Sequence, residues 1–392
     1  MDYRVIANLF LLLFIGVADN QIIAALLPSL VHSFGITVGT AGLLITTYSL
    51  AAAVAAFFSG SLSDHYGRRR FLLAGILVFC LATWLTSRSA TLAQILSARA
   101  LTGLAAGTIS TCAIAFAGDW FAYSVRGRAV GLISTAYFAA PVIGVPVAAQ
   151  VADRFGWRIA FLVVAVSALL VGGISFLLPE DSHNPEPSRD KLRATGRAFR
   201  SILRRHDAVA ALVIAFLVSG GLVGFIAFIG QWLNSHFGIP TRTIGWVFML
   251  SGLVAMASAP MGGTLSDKLG KRPVLIASNV LLACAFVAVP FLDWGVWLLF
   301  AFSLTSLAAA FRQGPLTALM TELVPPAQRG SFIALRNISS QLGIAAAATV
   351  GGLLYQWRGY AAVAAMCAAM TVLVALLLTT HIVEPQSSPA EV

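Results

Sequence analysis

Apolar residues run along this chain in long blocks separated by short polar clusters. A helix needs about 20 largely apolar residues to cross the hydrocarbon of a bilayer. Twelve such blocks can be placed, at 5–30, 39–60, 70–87, 91–117, 128–152, 157–178, 209–233, 243–263, 273–292, 295–320, 330–355 and 360–381, and they are spans 1 to 12 below. Span 1 has the basic flank of a secretory leader in Arg4, but it is too long for one and carries Asp19 near its middle, so it reads as a retained helix. The one long polar stretch, 181–207, is rich in Pro, Ser and Arg. It reads as a linker on the cytoplasmic side between a six-span unit, 1–180, and a second, 208–382, with 383–392 as a tail. Its basic part, 189–205, suits either an amphipathic helix on anionic headgroups or a solvated loop.

The two units repeat at a constant offset of 203 in the numbering. Phe34-Gly35-Ile36 recurs as Phe237-Gly238-Ile239, and GSLSDHYGRR at 60–69 as GTLSDKLGKR at 263–272. Asp64 falls on Asp267, Asp119 on Glu322 and Arg126-Gly127 on Arg329-Gly330. The expected fold is therefore an all-α membrane protein, with twelve transmembrane helices in two pseudo-symmetric six-helix bundles. Such halves place a binding site between them near the midplane.

Composition agrees: with 59% hydrophobic and 10% charged residues, a soluble domain has too few polar groups for its surface. The net charge of +10 suggests nucleic acid until the 25 Lys and Arg residues are sorted by loop. Seventeen fall on the side of the termini, five on the other, and three, Arg99, Arg312 and Arg336, within spans. The positive-inside rule then explains the charge without nucleic acid. It puts both termini in the cytoplasm of a multi-pass protein of the bacterial inner membrane. The four Cys lack metal or redox spacing and the six His sit near span ends or in the linker, so neither metal nor cofactor is expected. No Gly-rich loop precedes a Lys-Ser or Lys-Thr pair, which argues against ATP as energy source. A membrane enzyme or receptor is disfavoured for want of any catalytic constellation.

The motif GSLSDHYGRRR at 60–70 resembles the signature of the major facilitator superfamily in the loop between helices 2 and 3, and the likeness covers the whole chain. Within it the first half looks like the twelve-span drug:proton antiporters. Arg99 with Gly103 and Gly107 resembles their helix 4 motif, which implies a role for Arg99 in proton coupling. Gly131, Pro141, Gly144 and Pro146 resemble their helix 5 motif, with Ala140 and Val145 where glycines are usual. The resemblance implies a conformational latch at Gly60, Asp64, Gly67, Arg68, Asp119 and Arg126, mirrored by Asp267, Glu322 and Arg329. Asp64, Arg68 and Asp119 would hold the halves together when the cavity faces outward; the alternative is charges that only set topology.

Asp19 follows from physics as much as likeness, since a carboxylate at mid-span costs a few kcal/mol unless paired or hydrated. With Arg99 near, it can take and release a proton, or instead simply tie spans 1 and 4. Both positions are apolar in the second half, Leu222 and Phe302, so coupling belongs to the first. Asn20, Gln21, Tyr137, Phe138, Phe225, Phe228, Gln231, Arg312, Asn337 and Gln341 are candidates for the substrate cavity, the aromatics equally for packing. Arg336 either lines that cavity or snorkels to the interface. Pro141, Gly144 and Pro146 give span 5 a place to flex or a fixed kink. The expected activity is proton-coupled export of a small, partly hydrophobic solute or drug by alternating access, by a monomer surrounded by lipid. The rivals are sugar, nucleoside or siderophore export, proton symport for uptake, and lipid transport on the same fold.

Overall fold

The computed structural model describes residues 1–180, 189–325 and 328–381. The expected linker residues 181–188 and the expected tail, 383–392, lie outside them. Among the described residues twelve helices are long and apolar enough to cross a membrane. In the first half these are α1 (Tyr3–Phe34), α2 (Val38–Tyr66), α3 (Arg68–Arg88) and α4 (Leu92–Trp120). A broken fifth span follows, made of α5 (Tyr123–Ser134), α6 (Ala136–Ala139), a π-helical turn (Ala140–Gly144) and α7 (Val145–Phe155), and then α8 (Trp157–Ser175). The linker forms α9 (Arg189–Ile202). The second half is α10 (His206–Phe237), α11 (Thr241–Leu269), α12 (Lys271–Ala288), α13 (Val296–Glu322), α14 (Arg329–Arg358) and α15 (Tyr360–Thr380).

Helix ends follow from local chemistry. Asp2 caps α1 by accepting from the amides of Arg4 and Val5, and Thr91 with Gln94 forms a capping box on α4. Glycine ends α1: Gly35 has φ 59°, a left-handed conformation that only glycine adopts without strain. Every positive-φ residue described is a glycine, and the six form three pairs, Gly35/Gly238, Gly67/Gly270 and Gly156/Gly359, each related by the offset of the sequence repeat. The starts of α10, α11 and α12 follow those of α1, α2 and α3 at the same offset. The duplication seen in sequence is thus a duplication of turns.

Because twelve spans bring both ends of the chain to one side, that side, where most loop cations lie, is called the basic face here. The two halves meet along three seams. Helix α2 lies on α14, where Thr46 Oγ1 and Thr349 Oγ1 are 2.9 Å apart and Thr46 also reaches the Ala345 carbonyl at 3.3 Å. Helix α10 meets α1 at Gly230 and Ala24, and the fifth span meets α11 at Pro146 with Gly245 and Pro141 with Gly252. All three seams run from mid-span to the end away from the basic face. At the basic ends a methyl added to Gly60, Gly127, Gly131 or Gly330 would touch nothing within 4 Å. The halves therefore close against each other on the far side and part toward the basic face. Below that opening α9 links them, with Phe199 against Phe57 of α2, 5.9 Å between ring centroids, and Ile202 buried among apolar side chains of the second half. Residues 189–202 are thus helical and not a loop, with Phe199 and Ile202 packed on the protein.

Candidate functional site

Helix α4 crosses α2 so closely that a Cβ on Gly103 would lie 2.2 Å from the Tyr48 carbonyl oxygen, and one on Gly107 2.7 Å from that of Ala52. Only glycine permits this approach. The crossing sets Arg99, one turn earlier, over Tyr48, its guanidinium carbon 4.7 Å from the ring centroid. Tyr48 in turn donates through its hydroxyl to the Gly16 carbonyl, 3.2 Å away on the α1 turn that carries Asp19. There Arg99 Nη1 donates to Asp19 Oδ2 at 2.6 Å, and neither side chain has any exposed surface. Removing two ions from water costs several kcal/mol each, recovered only with good geometry and further hydrogen bonds. Here the geometry is good and the further bonds are few: Asp19 Oδ1 and Arg99 Nε and Nη2 have no hydrogen-bond partner among the described residues. Asn20 and Gln21 beside the pair are partly buried.

At the basic face, Arg68 Nη2 is 2.8 Å from Asp64 Oδ1, and Arg68 Nε contacts Asp119 Oδ2. Gly67, at φ 97°, makes the turn that brings α3 back against α2. All three charges belong to the first half, so in this conformation the relay binds α2, α3 and α4 to one another. The second half repeats it with a Lys271–Glu322 ion pair. Lys271 was not among the expected latch residues, although the repeat itself points to it as the counterpart of Arg68. Asp267 and Arg329 make no ion pair among the described residues, and Arg126 donates to the Phe121 carbonyl at 3.3 Å. The repeat also accounts for Arg69 and Arg272. Arg69 donates to the Phe176 carbonyl at 2.7 Å and Arg272 to that of Thr379 at 2.5 Å, closing the last turns of α8 and α15.

The expected cavity set divides. Phe225 and Phe228 are fully buried: Phe225 stacks on Phe286 with centroids 4.2 Å apart inside the second half, and Phe228 lies at the seam between α2 and α14, near Gly42 and Tyr355, so in this conformation neither lines a cavity. Arg312 leaves the set as well. It is 1% exposed and donates to Asn279 Oδ1 at 2.9 Å and the Val218 carbonyl at 3.2 Å, inside the second half. Gln231 is partly buried, with Oε1 unpartnered among the described residues. Tyr137, by contrast, is 48% exposed, yet its phenol lies within electrostatic reach of Tyr48 in α2 and Arg336 in α14. Tyr137 therefore sits where helices of both halves approach one another. Phe138, Asn337 and Gln341 sit on the same two helical segments, Asn337 exposed and Phe138 and Gln341 partly buried. Pro141, Gly144 and Pro146 fall on or just after the π-turn. A Cβ on Gly144 would meet Ala18 at 2.7 Å, so this irregular turn packs against α1 just before Asp19.

Two duplicated bundles, parted on one face and closed on the other, with an ion pair sealed at mid-span, have the architecture of a secondary membrane transporter. The chain belongs to the Major Facilitator Superfamily, whose model matches residues 9–230 and again 211–391. Among curated relatives it is 28% identical over 368 residues to the uncharacterized MFS-type transporter YwfA of Bacillus subtilis (strain 168), covering 91% of this chain and 86% of the relative. It is 24% identical over 359 residues to Multidrug resistance protein 2 of the same organism, covering 89% and 87%. Among solved structures the crystal structure of a D-xylose-proton symporter superposes with a TM-score of 0.80 at 16% identity, covering 98% of this chain and 99% of that one, which is a likeness of fold.

Proposed function

We propose that this chain couples export of a small, partly hydrophobic solute to proton entry by alternating access, with the basic face toward the cytoplasm. The observation that carries the proposal is the enclosed Asp19–Arg99 pair with Asp19 Oδ1 still free to accept a proton. A proton on Asp19 cancels its charge, weakens its bond to Arg99 and leaves the guanidinium to seek other acceptors; loss of the proton restores the pair. With the pair formed and the halves parted toward the basic face, this conformation corresponds to the deprotonated state that receives solute from the cytoplasm. Closure there and opening of the far seams would expose Asp19 to protons outside. Two observations support the outward direction for solute: the helix 4 and helix 5 likeness to drug:proton antiporters, and the relationship to Multidrug resistance protein 2.

The test uses energised inverted membrane vesicles containing the protein and a pH-sensitive dye, challenged with a panel of single-ring organic compounds. Export predicts that at least one compound dissipates the imposed pH gradient, and that Asp19→Asn, inserted at normal level, abolishes this. Uptake by symport would show instead as solute movement in the same direction as the proton. Full proton-driven flux in Asp19→Asn would refute the carrier role.

A further inference from the structure

The membrane interior is electrically unbalanced. Away from the span ends the described residues hold one carboxylate, Asp19, and three guanidinium groups, Arg99, Arg312 and Arg336. Asp19 is committed to Arg99. Arg312 is sealed in the second half, where an amide oxygen and a backbone carbonyl solvate it. Arg336 has neither a carboxylate nor a good neutral acceptor: its one hydrogen bond among the described residues runs from Nη2 to Thr317 Oγ1 at a long 3.4 Å. It lies seven residues into α14, about 10 Å from the basic end of that helix. Arg336 is partly exposed, and a guanidinium at this depth with so few protein acceptors is stabilised by an anion.

The surroundings are donors. Tyr137 of the fifth span and Arg336 of α14 lie near enough for their charges to interact, no hydrogen bond joins them among the described residues, and both offer protons. Asn337 adds an exposed amide on the next position of α14. Neither Arg336 nor Tyr137 has an acidic partner among the described residues. The mouth repeats the sign, because Arg68, Arg69, Arg126 and Arg128 of the first half and Arg197, Arg200 and Arg204 of the linker lie on the basic face. Arg68 is paired by Asp64 and Asp119 and Arg69 by Glu180, but the other arginines outnumber the acids among the described residues beside them, and a positive mouth raises the local concentration of anions.

We infer that the solute is an organic anion, and that its carboxylate or equivalent group is bound between Arg336 and Tyr137 while its apolar body occupies the space between the halves. This names the substrate class for the transport site proposed above and rests on that reading. A fork-shaped guanidinium suits a planar carboxylate, which accepts two parallel N–H bonds from it and a third from the phenol. The assignment narrows the expectation of a generic drug and disfavours cationic drugs, which Arg336 repels.

The experiment is a binding measurement that needs neither a proton gradient nor a direction of transport. Purified protein in detergent is mixed with single-ring carboxylates such as benzoate and cyclohexanecarboxylate, each matched with its neutral amide and cationic methylamine, at constant chloride. Unfolding temperature and tryptophan fluorescence report binding. At least one carboxylate is expected to bind at least tenfold more tightly than its amide, with no binding of the amine. Arg336→Gln abolishes that preference, Arg336→Lys retains part of it, and Tyr137→Phe reduces it several-fold. Because binding is read without a proton gradient, a failure of proton coupling leaves the anion assignment standing and the reverse also holds. Should no carboxylate bind better than its amide, or should a well-folded Arg336→Gln protein retain the preference, the inference falls.

Discussion

The seam between α2 and α14 holds the far side closed, and its packing can be tested directly. A Cβ added at Gly42 would lie 2.5 Å from the Ala348 carbonyl oxygen and 3.4 Å from the ring of Phe228. Ordinary carbon–oxygen contact is about 3.3 Å, so Gly42→Ala forces the two backbones roughly 0.8 Å apart or strains them, a cost of about 1–3 kcal/mol for overpacking a close-packed site. The methyl group also improves helix propensity, but equally in both conformations, and this part cancels. The overpacking cost falls only where the far side is closed. It therefore shifts the balance toward the form open on the far side by a factor of about 5 to 150. Spin labels at Thr37 and Arg358, both exposed at the far ends of α2 and α14, would read the shift as growth of a longer distance in a pulsed electron resonance measurement. Gly60→Ala, whose methyl group meets nothing within 4 Å, is the matched control. The reasoning is refuted if the Gly42→Ala distribution equals that of the parent, or if Gly60→Ala changes it as much.

Three further outcomes follow from the same geometry. Arg99→Gln leaves Asp19 buried without its partner and is expected to lower stability by about 3–5 kcal/mol, while Asp19→Asn with Arg99→Gln costs clearly less than the sum of the single changes; chemical unfolding in lipid–detergent mixtures closes this double-mutant cycle, and simple additivity would contradict the pairing. Arg68→Met strands two carboxylates and Lys271→Met one, so hydrogen exchange at the basic ends of α2 to α4 should rise more in the first than that of α11 to α13 in the second; equal effects would mean the relay adds nothing beyond one exposed pair. Thr46→Val removes the hydroxyl that joins α2 to α14 and is expected to open the far side more weakly than Gly42→Ala, by about 1 kcal/mol, measurable with the same labels.

Sequence carried the fold well because membrane helices write their lengths in hydropathy and their ends in glycine. The constant offset between the halves predicts the repeated turns at Gly67 and Gly270 and sets Lys271 opposite Arg68, although the expected latch set does not include it. Asp19 and Arg99 could be matched because a mid-span charge seeks its opposite, and there was one carboxylate to choose. Facing was harder to read. A span that is apolar all round gives no signal of which side meets lipid, core or cavity. Phe225 and Tyr137 therefore looked alike as aromatics, yet one stacks on Phe286 and the other sits where helices of both halves approach one another. Arg312 looked like a cavity charge because Asn279, which accepts from it, lies in another span whose register against α13 is set by packing alone.

The central claim is that Asp19 alternates between its bond to Arg99 and a proton. The most direct test reconstitutes purified protein in liposomes with a trapped pH indicator and follows proton movement on addition of a transported solute, for the parent and for Asp19→Asn. Solute-dependent proton flux is expected in the parent and none in Asp19→Asn, with solute exchange in the absence of a gradient persisting in both. Undiminished solute-dependent proton flux in Asp19→Asn would contradict it.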